Sequence, residues 1–175
     1  DLFVVKYDSG GIKQWTQQLG TSSNDQANGI TTDGSGNVYV TGYTYGGLDG
    51  NTSAGGPDLF VVKYDAQGEQ QWIHQSGTVQ DDLGTEISVD ALGRLNLLSL
   101  IATRDSVEQS QRFLTRFHPE TGHQLWSQPL ENPNLEHQVF ALDYTGNAFL
   151  AGKEMAGTDQ FGPDQILEYR PDSLQ

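Results

Sequence analysis

The chain contains no cysteine, so it can build neither a disulfide framework nor a thiolate metal site, and a thiol nucleophile is excluded. Basic residues are scarce. The 9 Lys and Arg stand against 23 Asp and Glu, for a formal net charge of -14. A surface of that sign repels phosphate backbones and anionic lipid headgroups, which argues against nucleic acid as a partner. Long apolar runs are also missing. None approaches the roughly 20 residues that a membrane helix needs, so no membrane insertion is expected. Helical periodicity is weak throughout, whereas 21 glycines favour strands and tight turns. The 175 residues are enough to bury a real core.

What the chain does have is repetition. The octapeptide DLFVVKYD occupies Asp1 to Asp8 and returns unchanged at Asp58 to Asp65. In the same register, Gln14, Trp15, Gln18 and Gly20 fall on Gln71, Trp72, Gln75 and Gly77, and Asp25, Ile30, Asp33 and Gly36 fall on Asp82, Ile87, Asp90 and Gly93. A third copy follows as FLTRFHPETGHQLW (113–126) with one inserted residue, and its companion ALDYTGNAFLAG (141–152) places Asp143 and Gly146 on Asp90 and Gly93. A fourth copy begins as GPDQILEY (162–169). All 3 tryptophans, Trp15, Trp72 and Trp126, hold the same position of the unit. A large ring at one recurring site is best read as packing between units, because aromatics bury the most area per residue.

Each unit reads as four short strands. In the best-preserved one, ANGITTD and NVYVTGYT flank the turn DGSGN, and DLFVVKYD and EQQWIHQSG follow. Alternation in NVYVTGYT places Val38, Val40 and Gly42 on one face, and Tyr39, Thr41 and Tyr43 on the other. FVVKY is more continuously apolar, as a strand buried on both faces would be. Four antiparallel strands per unit of about 50 residues predict an all-β fold made of β-propeller blades. The expected boundaries are a partial blade at 1–21, blades at 24–78 and 81–128, and a partial blade at 137–175. About three blades are therefore expected, forming an arc of a larger propeller. Further copies or the remainder of a longer chain would complete it.

The stretches GITTDGSGNVYVTGYT (29–44) and GGPDLFVVKYDAQGEQQW (55–72) closely resemble the SBBP repeat, a bacterial beta-propeller repeat found in secreted and surface proteins. The resemblance is strong over 24–78, weaker over 81–126 and degenerate from 137 onward. HPETGHQLW (118–126) is in addition similar to the strand-turn-strand corner of quinoprotein-type propellers.

The strongest metal candidate is the loop GGLDGNTSAGGPD (46–58), where Asp49, Asn51 and Ser53 alternate as oxygen ligands do in calcium loops and Asp58 offers a later carboxylate. Ser stands where an acid is usual, Gly arrives one position late, and no Glu closes the loop. The alternative is a glycine-rich connection whose Asp and Asn bond their own backbone. Asp33, Asp90 and Asp143 precede the turns DGSG, DALG and DYTG, where a carboxylate can accept backbone N–H bonds and fix a hairpin. His74, His118, His123 and His137 show no metal spacing. No G-x-S-x-G elbow and no phosphate loop is present.

The resulting expectation is a non-enzymatic extracellular, surface or periplasmic scaffold that binds protein or glycan through its loops, of which 45–57 and 153–163 vary most between copies. Two rivals stand beside it. One is a propeller enzyme, either a polysaccharide lyase or hydrolase or a quinone-dependent dehydrogenase. The other is a structural spacer in a large surface or filament-associated assembly.

Overall fold

The computed structural model describes residues 1–103, 110–130, 135–143, 146–154 and 167–169. Thirteen strands in these residues form four antiparallel sheets. The first sheet pairs β1 (Leu2–Tyr7) with β2 (Lys13–Leu19). The second is a meander of β3 (Asp25–Thr32), β4 (Val38–Thr44), β5 (Asp58–Tyr64) and β6 (Gln70–Ser76). The third repeats it with β7 (Asp81–Val89), β8 (Leu95–Ala102), β9 (Gln111–Phe117) and β10 (Gln124–Pro129). The fourth contains β11 (Leu135–Leu142), β12 (Ala148–Glu154) and β13 (Leu167–Tyr169). The front of the fourth repeat (162–166) and most of the loop 153–163 lie outside the described residues.

Strand alternation divides the core into three layers, one between each pair of successive sheets. Leu2, Val4, Val38, Val40, Phe60, Val62 and Tyr64 fill the first layer. Tyr39 and Val61, the intervening residues of β4 and β5, turn to the second layer and meet Ile87, Leu95, Leu97 and Phe117. Leu98 and Leu114 then face Ala148 and Leu150 in the third. A strand such as β5 therefore has to be apolar on both faces, and Phe60, Val61 and Val62 are all fully buried. Sheets stacked face to face in this way are propeller blades, and the series is an open arc.

The tryptophans clamp one blade to the next. The Trp15 indole lies against Gly68, in the β5–β6 turn of the following sheet, and a Cβ on that glycine would sit 2.8 Å from the ring. Trp72 covers Gly122 of the β9–β10 turn in the same way, where a Cβ would sit 2.6 Å from its ring. Both glycines also have positive φ, at 90° and 69°, so the residue type meets a conformational and a packing demand at once. Each indole N–H donates to the carbonyl two residues before the ring-contacting position or nearby in the same turn. Trp15 Nε1 reaches Ala66 O at 3.2 Å and Trp72 Nε1 reaches Pro119 O at 3.1 Å. A lysine supports each contact from one strand further in: Lys6 Nζ donates to Ala66 O at 2.9 Å, and Lys63 Nζ pairs with Glu120 at 2.9 Å.

Removing Trp72 should therefore uncouple the second and third sheets as well as empty a core position. Trp72→Ala is expected to cost about 3 kcal/mol, read as a lower urea midpoint. A midpoint within error of the parent would show that the clamp contributes nothing.

Candidate functional site

The recurring carboxylates hold turns. Asp33 accepts N–H bonds from Ser35 at 2.9 Å and Asn37 at 3.0 Å. Asp90 accepts them from Leu92 at 3.0 Å and Arg94 at 2.9 Å, and Asp143 from Asn147 at 2.9 Å. The same device fixes the other hairpin of the unit, where Asp8 binds the N–H groups of Gly10 and Ile12 and Asp65 those of Gln67 and Glu69. Burial alone would raise the Asp33 carboxyl, but bonds from Asn37, Ser35 and Tyr39 outweigh it and bring the pKa below the usual aspartate value.

A second carboxylate set lies at the opposite ends of the strands. Asp25, Asp58 and Asp82 are buried, at 4%, 1% and 2% exposure. Asp25 and Asp82 each accept the N–H of the threonine four residues earlier, Thr21 and Thr78, at 2.7 Å. Burial raises the pKa of Asp82, and the Thr78 bonds oppose that rise. Asp25 and Asp82 thereby hold the inter-blade connections.

In the loop proposed for calcium, Asp49, Asn51 and Asp58 have separate partners. Asp49 stands at a positive φ of 49° in a short 3-10 turn, Leu48–Gly50, and accepts from Gln70 Nε2 at 2.9 Å. Asn51 turns its amide back onto Leu48 O at 2.6 Å. Asp58 accepts from Ala54 N at 3.1 Å and Gln75 Nε2 at 2.8 Å. The loop is anchored by Leu48, which is fully buried in the layer between the first two sheets. Its isolation among Gly, Asp, Asn and Ser was the available signal for that anchor. His118 and His123 are exposed, His74 packs edge-on against Phe117 with centroids 5.2 Å apart, and the side chain of His137 lies outside the described residues.

One group of side chains has neither a turn nor a core layer to hold. Gln26 on β3 faces Tyr43 on β4 across the ladder. The Tyr43 hydroxyl donates to Gln26 Oε1 at 3.0 Å, Gln26 Nε2 donates to Asn28 Oδ1 at 2.9 Å, and Asn28 Nδ2 donates to Gly84 O on β7 at 2.8 Å. Tyr45 stands edge-on to Tyr43, with centroids 6.0 Å apart, and is 48% exposed. The row crosses the seam between two blades at their first strands. It does not repeat: the corresponding positions of the next blade are Leu83, Thr85, Leu100 and Ala102. Sequence reasoning that searched for recurrence passed over these four residues, although failure to recur was the signal that marked them.

Stacked antiparallel sheets, two of them four-stranded meanders, joined by recurring Trp–Gly contacts, define a β-propeller repeat fold. A family model for the SBBP beta-propeller repeat matches residues 14–49 of the chain. That match runs from β2 through β4, so the sequence unit straddles two sheets. Among known proteins, the chain is similar to an uncharacterized WD repeat-containing protein, L264, of Acanthamoeba polyphaga mimivirus, at 38% identity over 89 residues. It is also similar to the regulatory protein FlaEY of Caulobacter vibrioides, at 31% identity over 103 residues. These alignments take in 44% and 54% of this chain but only 6% and 11% of the relatives.

Two measurements follow from this geometry. Burial and the nearby His123 hold the pKa of His74 below its ordinary value. The unfolded chain takes up that proton near pH 6.5 and the folded chain does not, so stability is lost as pH falls through about 6.5. His74→Phe is expected to lose less melting temperature than the parent between pH 7.5 and 5.5, and parallel losses would refute the assignment. With protein donors meeting Asp49 and Asp58, and with Asn51 donating to its own loop, calcium is expected to leave the melting curve unchanged relative to chelator. A rise of several degrees would show that the loop gathers around the ion.

Proposed function

We propose that this protein is a non-enzymatic interaction module, presented outside the cytoplasm on a secreted or surface protein, that binds a partner through blade seams and connecting loops. The observation carrying this reading is the Gln26–Asn28–Tyr43–Tyr45 row. Blade architecture explains residues that recur, and these do not recur, yet Gln26, Asn28 and Tyr45 are exposed, Tyr43 is half-buried, and hydrogen bonds link Gln26, Asn28 and Tyr43 while Tyr45 stands edge-on to Tyr43. The repeated carboxylates, by contrast, meet backbone donors of their own turns and connections. A repeat scaffold with a set of unique side chains at a seam suits recognition.

Supporting this reading, one relative is described as a WD repeat-containing protein and another as a regulatory protein, and the SBBP resemblance points to secreted and surface proteins. The acidic charge narrows the partners further, because polyanions are repelled. Partners of the protein or glycan class remain, along with further blades that complete the propeller.

The test is biolayer interferometry of the immobilised protein against panels of peptides and oligosaccharides, with product analysis of the same mixtures. Saturable binding without turnover is expected. Release of shortened sugars or oxidised products would overturn the non-enzymatic reading.

A further inference from the structure

The seam row has a chemistry narrower than "binding". Its polar groups are two primary amides and two phenols, with no carboxylate, ammonium or guanidinium among them. Their orientations are set from one end. Gly84 O can only accept, so Asn28 must present Nδ2 to it and Oδ1 to its neighbour. Gln26 must then offer Nε2 to Asn28 and Oε1 to the Tyr43 hydroxyl. Each amide keeps one N–H and one oxygen lone pair in a fixed direction, which is a complement to a pair of neighbouring hydroxyls. Beside this polar row stands Tyr45, an aromatic ring half open to solvent and braced edge-on by Tyr43. A partly exposed aromatic face next to oriented amides matches a ligand that is apolar on one side and hydroxylated at its rim.

We infer that the seam formed by Gln26, Asn28, Tyr43 and Tyr45 is a binding site for neutral carbohydrate, with a sugar ring stacked on Tyr45 and its hydroxyls bonded to the two amides. Neutrality follows from the site's uncharged groups and from the chain's formal charge of -14, which disfavours uronic or sulfated sugars. The inference rests on the interaction-module reading and narrows its ligand class. Because the network is tied before any ligand arrives, little side-chain freedom is lost on binding, which favours even a small contact area.

The next blade supplies a control built on the same backbone. Replacing the row by its counterparts there (Gln26→Leu, Asn28→Thr, Tyr43→Leu and Tyr45→Ala) removes the chemistry while using side chains the same register already accepts one blade on. The intact protein would be run on native gels cast with glucomannan, xyloglucan or β-1,3-glucan, and with alginate as the anionic counterpart. Retardation by at least one neutral polysaccharide but not by alginate is expected. The fourfold replacement should abolish it, and Tyr45→Ala alone should weaken it roughly tenfold, whereas Tyr45→Trp should retain it. Should the fourfold variant fail to fold, by its melting curve, Tyr45→Ala decides the matter, since that side chain is already half exposed. Migration unaffected by every neutral polysaccharide, or equal retardation of parent and Tyr45→Ala, overturns the inference. If a displayed peptide library instead selects binders lost on Tyr45→Ala, the sugar inference falls and the interaction-module reading stands. If neither sugar nor peptide binds, both fall.

Discussion

An indole lying flat on the turn glycine of the following sheet sets the spacing of this molecule. Trp15 on Gly68 and Trp72 on Gly122 bring the outer strand of one blade against the β-hairpin of the next. Any Cβ at either glycine would overlap the ring, and both turns need a positive φ that glycine alone adopts cheaply. The layer of apolar side chains between sheets closes only at that separation, so the contact fixes the depth of the core that lies inward of it. The N–H of the ring and the neighbouring lysine then satisfy the same turn. A non-directional driving force, burial of area, is given a defined orientation by these polar bonds.

The turn aspartates work in the same economy of repetition. A propeller turn must satisfy several N–H groups that no ladder partner reaches, and a carboxylate accepts two of them at once. That requirement arises once per hairpin, which is why Asp8, Asp33, Asp65, Asp90 and Asp143 all perform it. Repetition therefore contributes five of the 23 acidic residues behind the net charge, and the charge in turn restricts what the surface can attract. Architecture and ligand class are linked through one residue type.

Much of this was legible without coordinates. The alternation in NVYVTGYT named both faces of β4 correctly, since Val38 and Val40 enter one core layer while Tyr39 enters the next. The tryptophan position read as inter-unit packing, and the aspartates before the turns read as hairpin locks. The loop 46–58 was less readable. Its Asp, Asn and Ser spacing suggested a cation, and what the structure adds is Leu48, an apolar anchor whose burial depends on a neighbouring sheet. The seam row carried only a negative mark in the sequence, its failure to recur, and its assembly was hidden because Asn28 and Gly84 are brought together by the packing of two blades.

The two copies of DLFVVKYD mark the boundary between what each level determines. By itself the octapeptide determined a strand, its alternation and its place in the unit, because pleat geometry and apolar patterning are local. Its burial is another matter. Phe60 and Tyr64 are 0% and 2% exposed, while Phe3 and Tyr7, in identical sequence surroundings, are 72% and 60% exposed. The difference lies in what covers each face: β1 lies over Phe60 and Tyr64, and no described strand lies over Phe3 and Tyr7. Local sequence chose the strand, and only the stacking of sheets decided which of its side chains became core.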